Sequence, residues 1–301
     1  MSYAIGIDLG GSSVKTVAVT PEGKTLAEAV STFDSGASMD WSRKIRAVVE
    51  ELQSRQGQPA SHLGLSAPGL AEKDGRSIAH MPGRLQGLEG LDWGSFLKTP
   101  RPVPVLNDAH SALLGEAWLG AARGFQNVIM LTLGTGVGGA AIVDGKLLRG
   151  HIGRAGHLGH VSLDIDGPPD VCEMPGSLEV MIGNCTIAER SNGRFQTTHD
   201  LVAAHLAGDA EASHVWLRSV RALACAVGSF ANVLDPEAVI IGGGIARSGE
   251  ALFEPLRQIV SEVEWKSAGY QVRILPATLG EFAGAFGAAS NAMKLSLSTE
   301  A

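Results

Sequence analysis

An internal repeat constrains the fold of this chain more than any other feature of the sequence. The segment AIGIDLGGSSVKTVAV begins at Ala4 and aligns without a gap with VIMLTLGTGVGGAAIV, which begins at Val128, at a constant offset of 124 residues. Each copy is an apolar run, a glycine-rich turn and a second apolar run, the pattern of a β-hairpin. The repeat predicts a duplicated unit in which each half brings one phosphate-facing hairpin to a cleft. Two unrelated glycine-containing hairpins remain the alternative.

Composition and charge narrow the classes of partner. With 301 residues, 45% of them hydrophobic, the chain is long enough for two domains. A net charge of −7 and the lack of a Lys/Arg run argue against nucleic acid and membrane surfaces as partners. No apolar run approaches the roughly 20 residues that span a bilayer. The N-terminus lacks a signal-peptide pattern, and three scattered cysteines make no disulfide framework. We expect a cytoplasmic protein.

The first glycine-rich turn carries residues suited to phosphate and magnesium. Asp8 ends a buried strand, and Lys15 follows the turn. A hard carboxylate suits a magnesium-bound water, and an ammonium suits a phosphate oxygen. The turn itself has little side-chain bulk, so its backbone N–H groups can face an anion; its residues are Gly10, Gly11, Ser12 and Ser13. This is no Walker A loop, because Val14 precedes the lysine and a strand follows. A tight turn capped by Asp8 is the alternative interpretation.

The second turn contains a literal G-x-G-x-x-G. We reject a dinucleotide-binding fold, because that motif requires a helix directly after it, whereas Gly139 to Val143 reads as a strand. The segment is better interpreted as a second phosphate loop, with Gly134, Thr135, Gly136 and Gly138 as its candidate residues.

A third glycine cluster ends the apolar strand Ala238 to Ile241. Because glycine has no Cβ, a flat group such as adenine can pack against this backbone; the cluster consists of Gly242, Gly243 and Gly244. An ordinary strand-to-helix turn is the alternative.

Asn107 and Asp108 stand between the apolar strand Val103 to Leu106 and a predicted helix. Aspartate in this position is a good helix N-cap, which is the structural interpretation. Two phosphate loops imply that a phosphoryl group is transferred to an acceptor. A carboxylate at a strand end can then take the proton from the attacking hydroxyl of that acceptor. We therefore predict Asp108 as the catalytic base.

The order of these motifs resembles the ROK family of sugar kinases, within the actin, hexokinase and Hsp70 superfamily. The resemblance covers nearly the whole chain and includes the loop Ala67-Pro68-Gly69 near the sugar and a last helix that starts near Gly284. It implies an α/β, two-domain actin-like (ribonuclease H-like) ATPase fold with an interdomain cleft. The implied small domain is 1–118 with a C-terminal helix at about 286–301, and the large domain is 119–285.

The family further implies a glucokinase-like activity, the ATP-dependent phosphorylation of a hexose or related sugar, commonly at C6, with ATP and Mg²⁺ as cofactors and a homodimer as the assembly. Asp108 would be the base and Asn107 would orient the sugar, with Gly69, His157, His160 and Glu179 as further sugar-binding residues. His157 stands where the family's Glu-x-Gly-His motif has glutamate, so we expect the preferred pattern of sugar hydroxyls to differ. A hydrogen-bonded pair of buried histidines is the structural alternative for His157 and His160. A catalytically weak sugar-binding or sensor protein derived from a ROK kinase is the alternative function.

The family's zinc motif, Cys-x-Cys-Gly-x-x-Gly-Cys-x-Glu, is degenerate in this chain. The matching stretch from Asp170 to Glu179 keeps one cysteine, Cys172. With His160 as the only other good ligand, a closed tetrahedral zinc site lacks donors, since Ser177 is a poor ligand and Asp170 would have to replace a thiolate. We predict that structural zinc is absent and that the loop is held by Pro168, Pro169 and Pro175.

Overall fold

The computed structural model describes residues 2–34 and 39–299, the last four as backbone only. The chain divides into two compact units. Unit 1 holds the described residues up to Gly124, the segment Arg149–Ala155 and the described residues from Thr278 onward; unit 2 holds Phe125–Leu148 and Gly156–Ala277. The predicted domain boundaries differ from those of these units by a few residues. In addition, Arg149–Ala155 belongs to unit 1, although the prediction assigned it to the large domain. Whether either division separates independently folding domains stays a prediction.

The secondary structure of the described chain alternates strands and helices, as an α/β fold requires. The strands are β1 Ala4–Leu9, β2 Ser13–Val19, β3 Thr25–Thr32, β4 His62–Ala67, β5 Leu70–Ala71, β6 Ile78–His80, β7 Val105–Asn107, β8 Val128–Leu133, β9 Val137–Val143, β10 Lys146–Leu147, β11 Ala238–Gly242 and β12 Arg273–Pro276. The helices are α1 Asp40–Gln56, α2 Trp93–Leu97, α3 Asp108–Leu119, α4 Leu178–Ile182, α5 Ile187–Arg190, α6 Thr198–Leu206, α7 Ala210–Leu234, α8 Glu250–Val263 and α9 Ala283–Thr299.

Unit 1 is built on a five-stranded sheet in the order β3-β2-β1-β4-β7, in which β1, β4 and β7 are parallel. Helix α9 packs directly on this sheet because two strand residues lack a side chain. A Cβ at Gly6 would lie 1.8 Å from the carbonyl oxygen of Ala285, and one at Gly64 would lie 2.1 Å from that of Ala288. The glycines therefore let α9 approach the strand ends.

Unit 2 repeats the same sheet in the order β10-β9-β8-β11-β12. Strands β8 and β9 begin and end 124 residues after β1 and β2, as the sequence repeat predicts. The pairing inside the hairpins differs, however, since Leu9 faces Val14 whereas Leu133 faces Val137. The second turn is one residue shorter, so the gapless alignment does not hold in the register of the two hairpins. In that register Gly138 takes the place of Lys15.

Helix α7 is the core helix of unit 2. By length and composition it is the one helix of the described chain that could cross a membrane. Its apolar stripe is nevertheless buried in the core of the unit, and it includes Trp216, Val220, Leu223, Val227 and Phe230. This burial is typical of the central helix of a soluble α/β protein.

Candidate active site

Three polar residues lie at the carboxyl ends of the parallel strands of unit 1. Asp8 is the next-to-last residue of β1, Ser66 lies near the end of β4, and Asn107 is the last residue of β7. Because β1 pairs with β4 and β4 pairs with β7, these strand ends adjoin one another. The carboxyl edge of a parallel sheet is the usual ligand-binding edge in α/β proteins.

The carboxylate of Asp8 is half-buried and is held by Ser66, whose Oγ donates a 2.6 Å hydrogen bond to Oδ1. Burial raises the pKa of Asp8 to about 6, and the nearby charge of Asp108 adds to this; the Ser66 hydrogen bond and the charge of Lys15 lower it. A Cβ at Gly284, in the first turn of α9, would lie 2.6 Å from the Asp8 Cγ. The sequence pattern missed Ser66, which reads as an ordinary strand residue.

Asn107 occupies the N-cap of α3. Its Oδ1 accepts hydrogen bonds from the N–H groups of Ala109 and His110, at 3.0 and 3.3 Å. Its Nδ2 donates a 3.0 Å hydrogen bond to the carbonyl oxygen of Gly69, which has φ +96°. One side chain thus caps the helix and ties the predicted sugar loop to it. The structural interpretation of Asp108 as the cap is wrong, because the neighbouring Asn107 fills that position.

Asp108 is the first residue of α3, and it is exposed to solvent. Its Oδ1 accepts a 2.8 Å hydrogen bond from its neighbour's N–H, that of Ala109. Surrounding protein atoms partly desolvate the carboxyl group and raise its pKa, an effect that hydrogen bonds from Ala109 and Asn107 oppose. A carboxylate that is accessible, oriented and made more basic has the properties of a general base.

The first glycine-rich turn connects β1 to β2. The N–H of Gly10 bonds the carbonyl oxygen of Ser13 at 2.9 Å, and a Cβ at Gly11 would meet no atom within 4 Å. Ser12 lies inside the same turn. Lys15 faces Asp8 across the hairpin, and its Nζ lies 3.6 Å from Oε2 of Glu281. The structure therefore brings Asp8 and Lys15 together, and Glu281 is a neighbour that the sequence did not indicate.

In unit 2 the other two glycine clusters adjoin one another at the ends of β8 and β11. Gly243 has φ +88°, and a Cβ there would lie 2.3 Å from the carbonyl oxygen of Leu133. A cavity of about 610 Å³ opens beside them. Its lining includes Gly134, Thr135 and Gly244 among the predicted residues, together with Asn184, Thr197, Thr198, His199, Val202, Ala203, Leu206, Ile245, Arg247 and Ser248. The α6 residues of this lining carried no motif that sequence reasoning could have found.

The remaining predicted residues of unit 2 lie apart from that lining. Gly242 ends β11, and Gly138 lies in β9 opposite Thr132. Gly136 adjoins Glu179, because a Cβ there would lie 2.2 Å from Oε2 of the glutamate. These glycines shape the backbone of the two loops.

Glu179 is buried in the first turn of α4, and its Oε2 accepts a 2.8 Å hydrogen bond from the N–H of Val137. The predicted sugar-binding glutamate therefore also supports the second glycine-rich loop. The rings of His157 and His160 stack with their centroids 6.5 Å apart. Both histidines lie in unit 2, at the two ends of the 3₁₀ turn Leu158–His160.

Near His160 lies a small cluster of groups that could ligate a metal. Nδ1 of His160 is 2.8 Å from Oδ2 of Asp170, and Nε2 is 3.7 Å from Sγ of Cys172. Oδ1 of Asp170 accepts hydrogen bonds from the N–H groups of Cys172 and Met174, at 2.7 and 3.1 Å. Ser177 caps α4, and its side chain also hydrogen-bonds Asp170.

Three such side chains, and no fourth among the described residues, come within 4.8 Å of one another. A closed tetrahedral zinc site takes four protein ligands, so this donor set does not match one. The absence of zinc stays a prediction. The prolines take part in backbone closure of the loop, since Pro169 pairs with Pro175 and the N–H of Gly176 bonds the Pro168 carbonyl oxygen at 2.9 Å.

Comparison with known proteins assigns the chain to a family. The sequence profile of the ROK family matches residues 4–294. The chain belongs to the ROK family. This ROK protein is 32% identical to a glucokinase of Thermotoga maritima over 95% of its own length and 96% of that protein. It is also 26% identical to a xylose repressor of Bacillus spizizenii, covering 96% of this chain and 76% of the repressor.

Solved structures agree with this assignment of fold. A ROK hexokinase from Thermus thermophilus superposes with a TM-score of 0.83 at 28% identity, covering 98% of this ROK protein and 99% of that chain. A ROK family glucokinase from Streptomyces griseus, in complex with glucose and AMPPNP, gives a TM-score of 0.81 at 26% identity, covering 97% and 100%. The predicted α/β actin-like fold and the predicted family are therefore confirmed.

Proposed function

We propose that this ROK protein is an ATP-dependent carbohydrate kinase that phosphorylates a hexose or a related sugar, at the hydroxyl on C6. The observation that carries the proposal is that Asn107, and not Asp108, caps α3. Asp108 is therefore left exposed, and its pKa is raised. A carboxylate kept out of capping can accept the proton of an attacking alcohol. The glucokinases among the relatives support a hexose as that alcohol.

The acceptor side of the reaction belongs to unit 1. Asp108 takes the sugar hydroxyl proton, and Asn107 holds both the helix that carries Asp108 and the loop at Gly69. Asp8 would hold Mg²⁺ through a water molecule, since its pKa of about 6 leaves it ionised at neutral pH and carboxylate oxygen is a ligand that Mg²⁺ prefers. Mg²⁺, when bound, neutralises phosphate charge during transfer. Lys15 and the backbone of Gly10 to Ser13 would bind phosphate oxygens.

The nucleotide side belongs to unit 2. The cavity beside Gly134, Thr135 and Gly244 is large enough for a nucleotide, and its walls combine glycine backbone and polar side chains with apolar side chains. We assign the phosphates to the loop at Gly134 and Thr135. The adenosine then lies toward Gly242 to Gly244 and α6, where Gly243 allows close approach of the two backbones.

The residues of unit 2 that we propose for sugar binding are His157, His160 and Glu179. A neutral imidazole at His157 offers one donor and one acceptor, whereas a carboxylate offers acceptors only. We therefore expect the preferred sugar to differ from glucose in the configuration or substitution of a ring hydroxyl near C1 or C2.

One assay tests the proposal. ADP release is coupled to a spectroscopic signal while the purified protein is given glucose, mannose, fructose, allose and the N-acetylated hexosamines in turn. Sugar-dependent ADP release identifies a kinase and its substrate class, and NMR of the product locates the phosphate on C6 or elsewhere. Absence of release with every sugar, from protein that still binds ATP, would contradict the kinase assignment.

A sugar sensor is the second candidate, favoured by the similarity to a xylose repressor and by His157. It predicts sugar binding without turnover. Calorimetric titration of the same sugars beside the ADP assay separates the two, because a sensor binds at least one of them and releases no ADP above background.

We further propose that the protein works in the cytoplasm as a homodimer. Neither nucleic acid nor a membrane is an expected partner, given the net charge of −7. Light scattering of the purified protein checks the assembly, which a mass near that of one chain would contradict.

A further inference from the structure

Arg190 is a half-buried cation at the end of α5 and has no role in the phosphoryl transfer proposed for this site. Its guanidinium donates to the carbonyl oxygen of Gly183 at 2.8 Å, to Oγ of Ser219 at 2.6 Å and to Oγ1 of Thr186 at 3.2 Å. All three acceptors are neutral. The geometry fixes the guanidinium in place without cancelling its charge.

Within the described part of the chain no carboxylate forms an ion pair with Arg190, although the charge of the neighbouring Glu189 acts on it. The ion pairs found there, at up to 4.0 Å, do not include Arg190. Burial and the charge of Glu179 raise the pKa of the nearby Cys185 thiol, so it stays neutral at pH 7. Burial also lowers the pKa of Arg190 to about 10, which still leaves it protonated. A partly buried cation that forms no ion pair leaves a positive potential around it, and this potential favours the binding of an anion nearby.

The location of Arg190 indicates where that anion binds. The segment 183–185, to which Arg190 is bonded, pairs with the second glycine-rich loop. The N–H of Asn184 bonds the carbonyl oxygen of Gly134 at 3.0 Å, and the N–H of Cys185 bonds that of Thr135 at 2.8 Å. Arg190 therefore lies one layer of backbone behind the loop to which we assign the phosphates.

The negative charge of Glu179 also lies near this loop, and it increases the value of a nearby cation for phosphate binding. The carboxylate of Glu179 bonds the N–H of Val137 directly after Gly136. A negative charge beside a phosphate loop opposes phosphate binding, and a fixed positive charge nearby offsets it.

We infer that Arg190 is a positioning residue for the nucleotide: its charge stabilises the polyphosphate at Gly134 and Thr135, and its hydrogen bonds hold the segment 183–185 that supports this loop. The inference rests on the proposed function, because it takes a nucleotide as the ligand of the cavity. Arg190 should therefore affect the affinity for ATP but not for adenosine, which would fill the same cavity without phosphates.

Binding of ATP, ADP, AMP and adenosine, measured by calorimetry without sugar, tests the inference. Ser219→Asp would place a carboxylate beside the guanidinium and cancel its field while Arg190 remains; Ser219→Asn is the matched control of the same shape. A unit charge roughly 10 Å away in a partly buried setting changes the binding of another unit charge about 4- to 15-fold. We expect S219D to weaken ATP by about tenfold relative to S219N, AMP by less, and adenosine by less than twofold.

Arg190→Met and Arg190→Lys provide a second pair that does not depend on a buried aspartate. R190M should lose ATP affinity selectively, whereas R190K should keep the ratio of ATP to adenosine affinity within about threefold. Thermal unfolding of each variant verifies the fold. If ATP and adenosine weaken equally, or S219D binds as S219N does, Arg190 is only structural and the inference is wrong. If the wild-type protein binds neither ligand, the proposed function itself fails.

Discussion

The side chain of Asn107 connects two parts of the candidate site by donating a 3.0 Å hydrogen bond to the carbonyl oxygen of Gly69 while its own oxygen caps α3. Asn107→Ala removes the cap and the tie together. We expect a loss of about 1 to 2 kcal/mol in the free energy of unfolding and a lower kcat, measured by urea unfolding and the ADP assay.

Asn107→Asp separates these two contributions. Its carboxylate can still cap the helix but cannot donate to Gly69, so most of the stability should return while kcat stays reduced. Full activity of N107D would show that the tie to Gly69 has no part in positioning Asp108.

Asp108→Asn should lower kcat about 10²- to 10⁴-fold, because the amide cannot accept the proton of the attacking hydroxyl. Sugar and nucleotide affinities, measured by calorimetry, should stay within about threefold of the wild-type values. Asp144→Asn is the matched control, since Asp144 is an exposed turn residue with φ +49°, which asparagine tolerates. Near-normal turnover of D108N would exclude Asp108 as the base.

The pKa of Asp8 makes both activity and stability depend on pH. In the folded protein its pKa is raised to about 6, above its ordinary value of 3.8, so the native state binds the proton more tightly than the unfolded state. The resulting stabilisation is full below about pH 4 and is lost as pH rises through 6. Above pH 6, Asp8→Asn should therefore unfold less readily than wild type, by about 1 to 2 kcal/mol after allowing for partial exposure.

The activity should have the opposite dependence, because Mg²⁺ binds the ionised carboxylate. We expect the wild-type kcat/KM for ATP to fall as pH drops through about 6, with the midpoint moving to lower pH as Mg²⁺ is raised. D8N should be nearly inactive at every pH. A thermal-unfolding series from pH 4 to 8 in which D8N and wild type run parallel would contradict the assignment of the pKa.

Glu116 is a buried carboxylate that ties α3 to the residues directly after it and to the distant segment at Thr278 and Leu279. Its oxygens accept hydrogen bonds from the N–H groups of Ala121, Thr278 and Leu279, and from Oγ1 of Thr278. In Glu116→Gln the amide group must face at least one donor, so we expect a loss of about 1 to 3 kcal/mol. Exposed Glu254→Gln serves as the control and should change stability by less than about 0.5 kcal/mol. Equal midpoints in urea would refute this role.

Metal analysis tests the cofactor predictions. After dialysis against a chelator, the protein should hold no stoichiometric zinc and should keep its thermal unfolding midpoint. Activity should be lost and should return on addition of Mg²⁺ alone. Zinc retained at one equivalent, or a large fall in unfolding temperature on chelation, would show that His160, Asp170 and Cys172 hold a metal after all.

The sequence by itself determined the repeated hairpins, the helix that follows Asp108 and the family, because glycine clusters and apolar runs are local signals that motif order makes specific. It also placed Asp108 at a strand end. Only the tertiary structure decided which neighbour caps α3, which serine holds Asp8 and which residues of α6 line the cavity of unit 2. Those relationships depend on side chains far apart in the chain, such as Asp8 and Ser66 or Arg190 and Ser219, and pairing across such distances is fixed by strand order and packing rather than by any local pattern.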